Sequence, residues 1–304
     1  MHDVDSRKLK SSISGVLVVD KPVGMTSHDV VAFLRKGTDL RRIGHTGTLD
    51  PRASGVLVTL VGPAVRLSDY MHSTKKRYEA TIRLGAVSNT YDGEGIISKT
   101  ADHIDLTEDT ILSTMKHFTG KFQQVPPAFS ALKINGRKAY DLAREGKTVN
   151  LKPRDVEVFS FDLLEYNPPD LTVDIFCSAG TYIRSIAHDM GQMLGCGAYL
   201  NMLRRTMCGK FTLRDAISLA ELQKNFDEGT WYQHLIPAAD ALSDYFEVDL
   251  DMAQENEICH GRRIPADTSD YTVAKAVSEQ GELIALLEFC PDTKEWKPKK
   301  VFYS

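Results

Sequence analysis

The chain has 304 residues, 42% of them hydrophobic and 26% charged, with a formal net charge of −4. That composition fits a globular protein with a full core, long enough for one large domain and a smaller one, and it excludes a disordered or fibrous chain. No apolar run reaches membrane-span length, and the start, MHDVD, lacks the basic-then-apolar layout of a signal peptide, so a cytoplasmic protein with no membrane partner is expected.

The five cysteines form no C-x-x-C pair and the nine histidines no H-E-x-x-H pattern. This argues against a zinc ribbon, a disulfide framework and metal catalysis, and predicts buried free thiols and no metal.

Residues 1–14 read as a polar, frayed N-terminal segment. The run GVLVVD at 15–20 predicts a buried strand that enters the turn Lys21-Pro22-Val23-Gly24. Thr26 or Ser27 then caps a helix through about Arg35, with Val30, Val31 and Leu34 on one face. The loop GHTGTLDP at 44–51 holds a single acidic residue, Asp50, between a glycine-rich turn and Pro51, and the run 55–61 that follows predicts a buried strand. Taken alone, such a loop is equally a surface turn with an incidental aspartate.

Further along, 78–84 alternates apolar and polar residues as a half-buried strand does, and 88–95 (SNTYDGEG) is a loop. A helix is predicted over 107–118, with Glu108 and Asp109 in its first turn. The stretch 120–135 contains Pro126-Pro127, and 138–145 reads as a short basic helix. Two strands, 156–166 and 171–178, flank the turn NPPD, and a helix over 183–194 stops at Gly195. Near Pro237 the chain changes to short strands and turns, ending in a basic tail.

Basic residues cluster at Arg35-Lys36, Arg41-Arg42, Lys75-Lys76-Arg77, 133–147, and Arg204-Arg205 with Lys210 and Arg214, whereas acidic residues gather at 101–109 and 240–257. A phosphate-binding face under a negative total and a set of ordinary solvated faces are both consistent with this. Arg184 falls in the first turn of a helix, where a cation opposes the macrodipole and calls for an anionic partner. If that partner is Asp50, the pair would hold the carboxylate ionised and oriented, with a lowered pKa. A structural surface pair is the alternative.

Five blocks in order, VVDKPVGMTS (18–27), GHTGTLDPRASGVL (44–57), KRYEATIRLG (76–85), QQVPPAFSALKINGRKAYDLAREG (123–146) and GTYIRSIAHDMGQMLGCGAYLNMLRRT (180–206), resemble the TruB family of tRNA pseudouridine synthases. The tail, with EICHGRR at 257–263, resembles that family's small PUA RNA-binding module. The resemblance implies an α+β fold: a mixed, largely antiparallel sheet flanked by helices over 15–240, with an RNA-binding insertion at 123–150 and a β-rich PUA-like domain over 248–304.

It implies isomerisation of uridine to pseudouridine in the tRNA T-loop, at the position conventionally numbered 55, by a monomer without metal or cofactor. Asp50 takes the place of the catalytic aspartate, by attack on ribose, attack on the ring or proton abstraction. Arg184 and Tyr78 join it in the catalytic group, Tyr78 as the aromatic that stacks on the extruded base. His45 matches the histidine that holds the opened loop, and Leu203 an apolar residue of the uracil pocket. Lys21, Pro22, Tyr182, Arg66, Lys133 and Arg137 are assigned to substrate binding. Arg66 stands in GPAVR where the family commonly carries a threonine and a lysine, which alters a phosphate contact.

The basic stretch at 133–147 corresponds to an insertion found in stand-alone bacterial members, so no guide RNA is expected. Two rivals remain open: a tRNA-folding chaperone indifferent to chemistry, and a guide-dependent synthase.

Overall fold

The computed structural model describes residues 13–71, 74–130, 132–134, 136–268 and 270–302; the polar start at 1–12, the last two residues and the side chains of Lys133 and Lys138 lie outside them.

The run GVLVVD shows no alternation because both faces of its strand are covered. Strand Gly15–Lys21 sends Leu17 and Val19 into one core and Val16 and Val18 into another. It belongs to a mixed sheet whose spatial order is Ile217–Ser218, Gly15–Lys21, Ala53–Val61, Ala198–Cys208, Lys76–Leu84, Asp170–Cys177, Arg154–Asn167 and Gly120–Gln124. Ile43–Thr46 pairs beside Ala53–Val61, and Phe211–Thr212 beside Ala198–Cys208. Gly15–Lys21 runs parallel to Ile217–Ser218, and Ala198–Cys208 parallel to Ala53–Val61. The other pairings are antiparallel, and the expected α+β architecture is the one that forms.

Helices Ser27–Thr38, Glu108–Lys116 and Ile183–Met193 close the first core with Val30, Val31 and Leu34, with Ile111 and Met115, and with Ile183, Ile186 and Met190. Each such side chain, once fully buried, contributes about 1.5–3 kcal/mol of apolar transfer. Thr26 rather than Ser27 caps the first helix, completing a capping box with Asp29. That helix runs past Arg35 because the Thr38 hydroxyl bonds back to the Leu34 carbonyl (2.7 Å), and it ends at left-handed Asp39 (φ 54°).

Strand Lys76–Leu84 keeps the predicted alternation, with Tyr78, Ala80, Ile82 and Leu84 inside and Arg77 and Glu79 exposed. Strand Ala198–Cys208 was not predicted. It lies at the sheet centre, and register shifts at Leu200/Met202 and Arg205/Met207 break the period-two pattern that marks a strand.

A second, five-stranded sheet orders as Phe246–Leu250, Val273–Ser278, Leu283–Cys290, Glu295–Val301 and Ile264–Pro265. It packs on the back of the first: Val277, Leu286 and Phe302 share a core with Val16, Val18, Val56 and Val58. Of the cysteines, only Cys177 and Cys208 are buried; Cys196, Cys259 and Cys290 are half-buried, and all five are free thiols. The expectation of buried thiols is corrected for these three, which sit in the turn after the helix Ile183–Met193, at the end of a short helix and at a strand end, where one side meets solvent.

Candidate functional site

Asp50 is set in place by a loop whose backbone is held at every turn. The buried Ser27 hydroxyl donates to the Leu49 carbonyl (3.0 Å) and accepts from the Leu49 N–H (2.9 Å), fixing the residue before Asp50. Pro51 offers its carbonyl to the Gly24 N–H (2.8 Å) and to Lys21 Nζ (3.3 Å), and Lys21 also donates to Pro22 and Met25. On the other side, Arg205 donates through Nε to the Val56 carbonyl (2.7 Å) and through Nη2 to the Gly47 carbonyl (3.0 Å). Its side chain is fully buried. Arg205 is therefore no part of a surface basic face, contrary to the cluster reading: charge in a sequence does not reveal which arginine turns inward.

Arg184 ties three segments together. Its Nε lies 3.1 Å from Asp50 Oδ2, and its Nη1 3.1 Å from Asp92 Oδ2 and 3.3 Å from the Thr90 carbonyl. Its Nη2 donates to the Phe129 carbonyl (3.0 Å). The anionic partner demanded by its place in the helix first turn exists, and Asp50 shares it with Asp92. Asp92 was not predicted; it is a buried carboxylate in SNTYDGEG, held also by Thr90 Oγ1 (2.6 Å) and the Glu94 N–H (2.9 Å).

The expectation of a lowered Asp50 pKa is corrected. Burial raises its proton affinity above the usual carboxylate range; Arg184 opposes that, and the Asp92 charge adds to the rise. A guanidinium divided between two carboxylates stabilises each less than a private one would. Burial likewise lowers Lys21 to about 8, against the pull of the Asp50 charge.

A cleft of about 700 Å³ opens beside these groups, walled by Asp50, Asp92, His28, Phe129, Tyr140 and Arg144 among others. A narrower hollow shares Asp50, Asp92 and Arg184 with it and is completed by Asn201, Met202 and Leu203. Leu203 thus lines the same hollow as Asp50. Tyr78 is placed differently: it sits 7% exposed in the core beside Arg205, lines neither space, and has its phenol pKa raised by burial.

His45 lies edge-on to His28 (5.5 Å between ring centres), behind the cleft rim, and Pro22 is exposed on the turn after Lys21. Tyr182 is half-buried; its backbone exchanges two hydrogen bonds with the buried Gln124 side chain (2.8 and 3.0 Å), and its ring lies under Arg154.

Arg66 faces away from the cleft, donating to the Val301 carbonyl and stacking on Phe302 (5.3 Å), so its cation engages the second sheet. Arg137, in the hairpin that also carries Lys133, pairs with Glu145, just past the helix Ala139–Arg144 that follows. Asp92, Gln124, Ser27 and Arg205 are the site residues the sequence reading missed. Only Asp92 carried a signal, an acid framed by turn residues. A carboxylate oriented by a guanidinium and facing a cleft with aromatic and basic walls can serve as nucleophile or base toward a planar ligand.

Residues 35–183 match the model of the TruB family pseudouridylate synthase N-terminal domain, and 184–243 that of the tRNA pseudouridylate synthase B C-terminal domain. The tRNA pseudouridine synthase B of Dehalococcoides mccartyi is 39% identical over 95% of this chain and 97% of its own length. That of Thermobifida fusca is 43% identical over 90% and 94%. The chain belongs to the TruB family.

Among solved structures, an H/ACA RNP bound to a substrate RNA containing 2'-deoxyuridine superposes with a TM-score of 0.75 at 25% identity, over 98% of this TruB chain and 87% of that one. The second matched segment begins at Arg184, so the Asp50–Arg184 contact joins a residue near the start of the first match to the first residue of the second.

Proposed function

We propose that this TruB protein isomerises uridine to pseudouridine in tRNA, at the T-loop uridine numbered 55, as a stand-alone cytoplasmic monomer with Asp50 as the catalytic carboxylate. The observation that carries the reading is the contact of Asp50 with Arg184 at 3.1 Å in a cleft of a TruB chain. The relatives in D. mccartyi and T. fusca bear the name tRNA pseudouridine synthase B, and the solved neighbour holds a substrate RNA.

The reaction breaks N1–C1', turns the uracil over and forms C5–C1'; C5 gives up its proton and N1, freed from the ribose, takes one up, with no net change of atoms. Attack on the ribose, attack on the ring and abstraction of a sugar proton all draw on the ionised carboxylate, which Arg184 favours against burial. The target base must leave its stack, at a cost of a few kcal/mol. The aromatic residues Phe129 and Tyr140 at the cleft offer faces on which an extruded base stacks, a contact worth about 1–3 kcal/mol.

The 133–147 segment supports the stand-alone form, because its residues Tyr140 and Arg144 wall the cleft. The second sheet, at 246–301, is read as a PUA-like RNA-binding module.

The test is pseudouridine formation in an unmodified tRNA transcript, with wild type and Asp50→Asn and no added guide or metal. Product at the T-loop uridine with wild type only supports the reading. No product with tRNA binding intact overturns it and leaves a guide-dependent enzyme or a binding protein. A tRNA-folding effect undiminished in Asp50→Asn assigns that part to chaperoning.

A further inference from the structure

Strand Ala198–Cys208 carries its irregularity at the site. Leu200 pairs with Ile82 and Met202 with Thr81, leaving Asn201 as the extra residue of a bulge. Bulges re-aim side chains and recur beside active sites. The bulge is fixed from the other side too, because Leu200 exchanges backbone hydrogen bonds with the loop that bears Asp92: its N–H donates to the Tyr91 carbonyl (2.9 Å), and its carbonyl accepts from the Gly93 N–H (3.1 Å). Asn201 is half-buried and lines the hollow it shares with Asp50, Asp92 and Arg184. Two of its polar neighbours there are engaged: Arg184 by four acceptors, Asp92 by three donors. Among the described residues the Asn201 carboxamide makes no hydrogen bond.

We infer that Asn201 is a specificity-determining residue that reads the uracil edge. This rests on the proposed function. A carboxamide presents one acceptor and one donor side by side, which complements uracil N3–H and an adjacent carbonyl oxygen. The choice of edge matters for an isomerase. When uracil turns over about its N3–C6 axis, N1 and C5 exchange places and so do O2 and O4, while N3–H stays put. Asn201 Oδ1 can accept from N3–H, and Nδ2 can donate to O2 or O4, whichever stands beside it before and after the turn. One fixed side chain thus holds substrate and product orientations alike without moving the ribose.

The test places Asn201→Ala in full-length Asp50→Asn protein, which suppresses turnover, and measures the Kd for two T-arm hairpins, one with uridine and one with an abasic ribose at the target position. Asn201→Ala is expected to weaken the uridine hairpin about tenfold, as two neutral hydrogen bonds would, and to leave the abasic hairpin unchanged. Asn201→Asp keeps the volume and loses the donor, so it too should weaken the uridine hairpin more than the abasic one. Equal losses on both hairpins, or none on either, overturn the inference. Failure of the underlying reading looks different: wild type then forms no pseudouridine, and the Asp50→Asn parent does not distinguish the two hairpins.

Discussion

Arg184 holds Asp50 with Nε and Asp92 with Nη1, so two carboxylates from different loops meet on one guanidinium, each at 3.1 Å. The Asp92 charge therefore acts on Asp50 in two ways: it competes for the cation and repels a second negative charge, raising the Asp50 pKa. Asp92→Asn removes that charge, and its single oxygen can keep either the Arg184 contact now made by Oδ2 or the Thr90 and Glu94 N–H contacts now made by Oδ1. The acid limb of the single-turnover rate is then expected to move to lower pH than in wild type. A limb that stays in place, or moves up, would show that the pair does not share its cation in solution.

Ser27 and Thr26 are adjacent and chemically alike, yet they do different work. Thr26 caps the helix, and Ser27 brackets Leu49 from both sides of its peptide. Ser27→Ala leaves buried backbone groups at Leu49 unpaired and should cost about 1–3 kcal/mol, together with kcat, because Asp50 follows directly. Thr26→Ala should cost about 1 kcal/mol of helix stability and leave kcat near wild type. Urea denaturation and single-turnover kinetics on both variants distinguish the two roles; equal loss of kcat would contradict them.

Much of this site was legible as chemistry and little of it as pairing. Arg184 announced its need for an anion through its place in a helix first turn, and Asp50 announced itself through its glycine and proline frame. Local sequence cannot state that a second acid, Asp92, shares the cation, because that depends on a loop brought over by the sheet. Arg204 and Arg205 look identical in sequence, yet Arg204 pairs with Asp20 near the surface whereas Arg205 is buried and holds Gly47. The alternation over 78–84 revealed its strand since one face meets solvent. The central strand Ala198–Cys208, covered by neighbours and bulged twice, carried no such pattern.

Gly55 and Gly24 both hold positive φ, at 101° and 91°, but only Gly55 is hemmed in. A Cβ there would meet the Arg205 carbonyl oxygen at 2.2 Å, whereas at Gly24 nothing lies within 4 Å. Gly55→Ala is expected to cost at least about 3 kcal/mol, since strain and a backbone clash add. It should also displace Arg205 from Gly47, with loss of activity. Gly24→Ala carries the left-handed penalty alone, about 1–2 kcal/mol. Thermal melts of the pair test this, and comparable losses would mean the sheet yields at Gly55.

Lys21 gives the site a basic limb of defined sign. Burial lowers its pKa to about 8 in the folded protein from its ordinary 10.5. Between those values the unfolded chain binds the extra proton, so this group's contribution makes stability rise as pH increases from about 8 toward 10.5. Lys21→Met removes the titrating group and with it that rise. The slope of Tm against pH across this window should therefore be more positive in wild type than in the variant. Activity runs the other way: Lys21→Met frees the Pro51 carbonyl from one of its two donors, and the rate should fall at all pH values as Asp50 loses part of its anchor. Parallel Tm slopes for the two proteins would place the Lys21 ammonium in solvent rather than under the Asp50 loop.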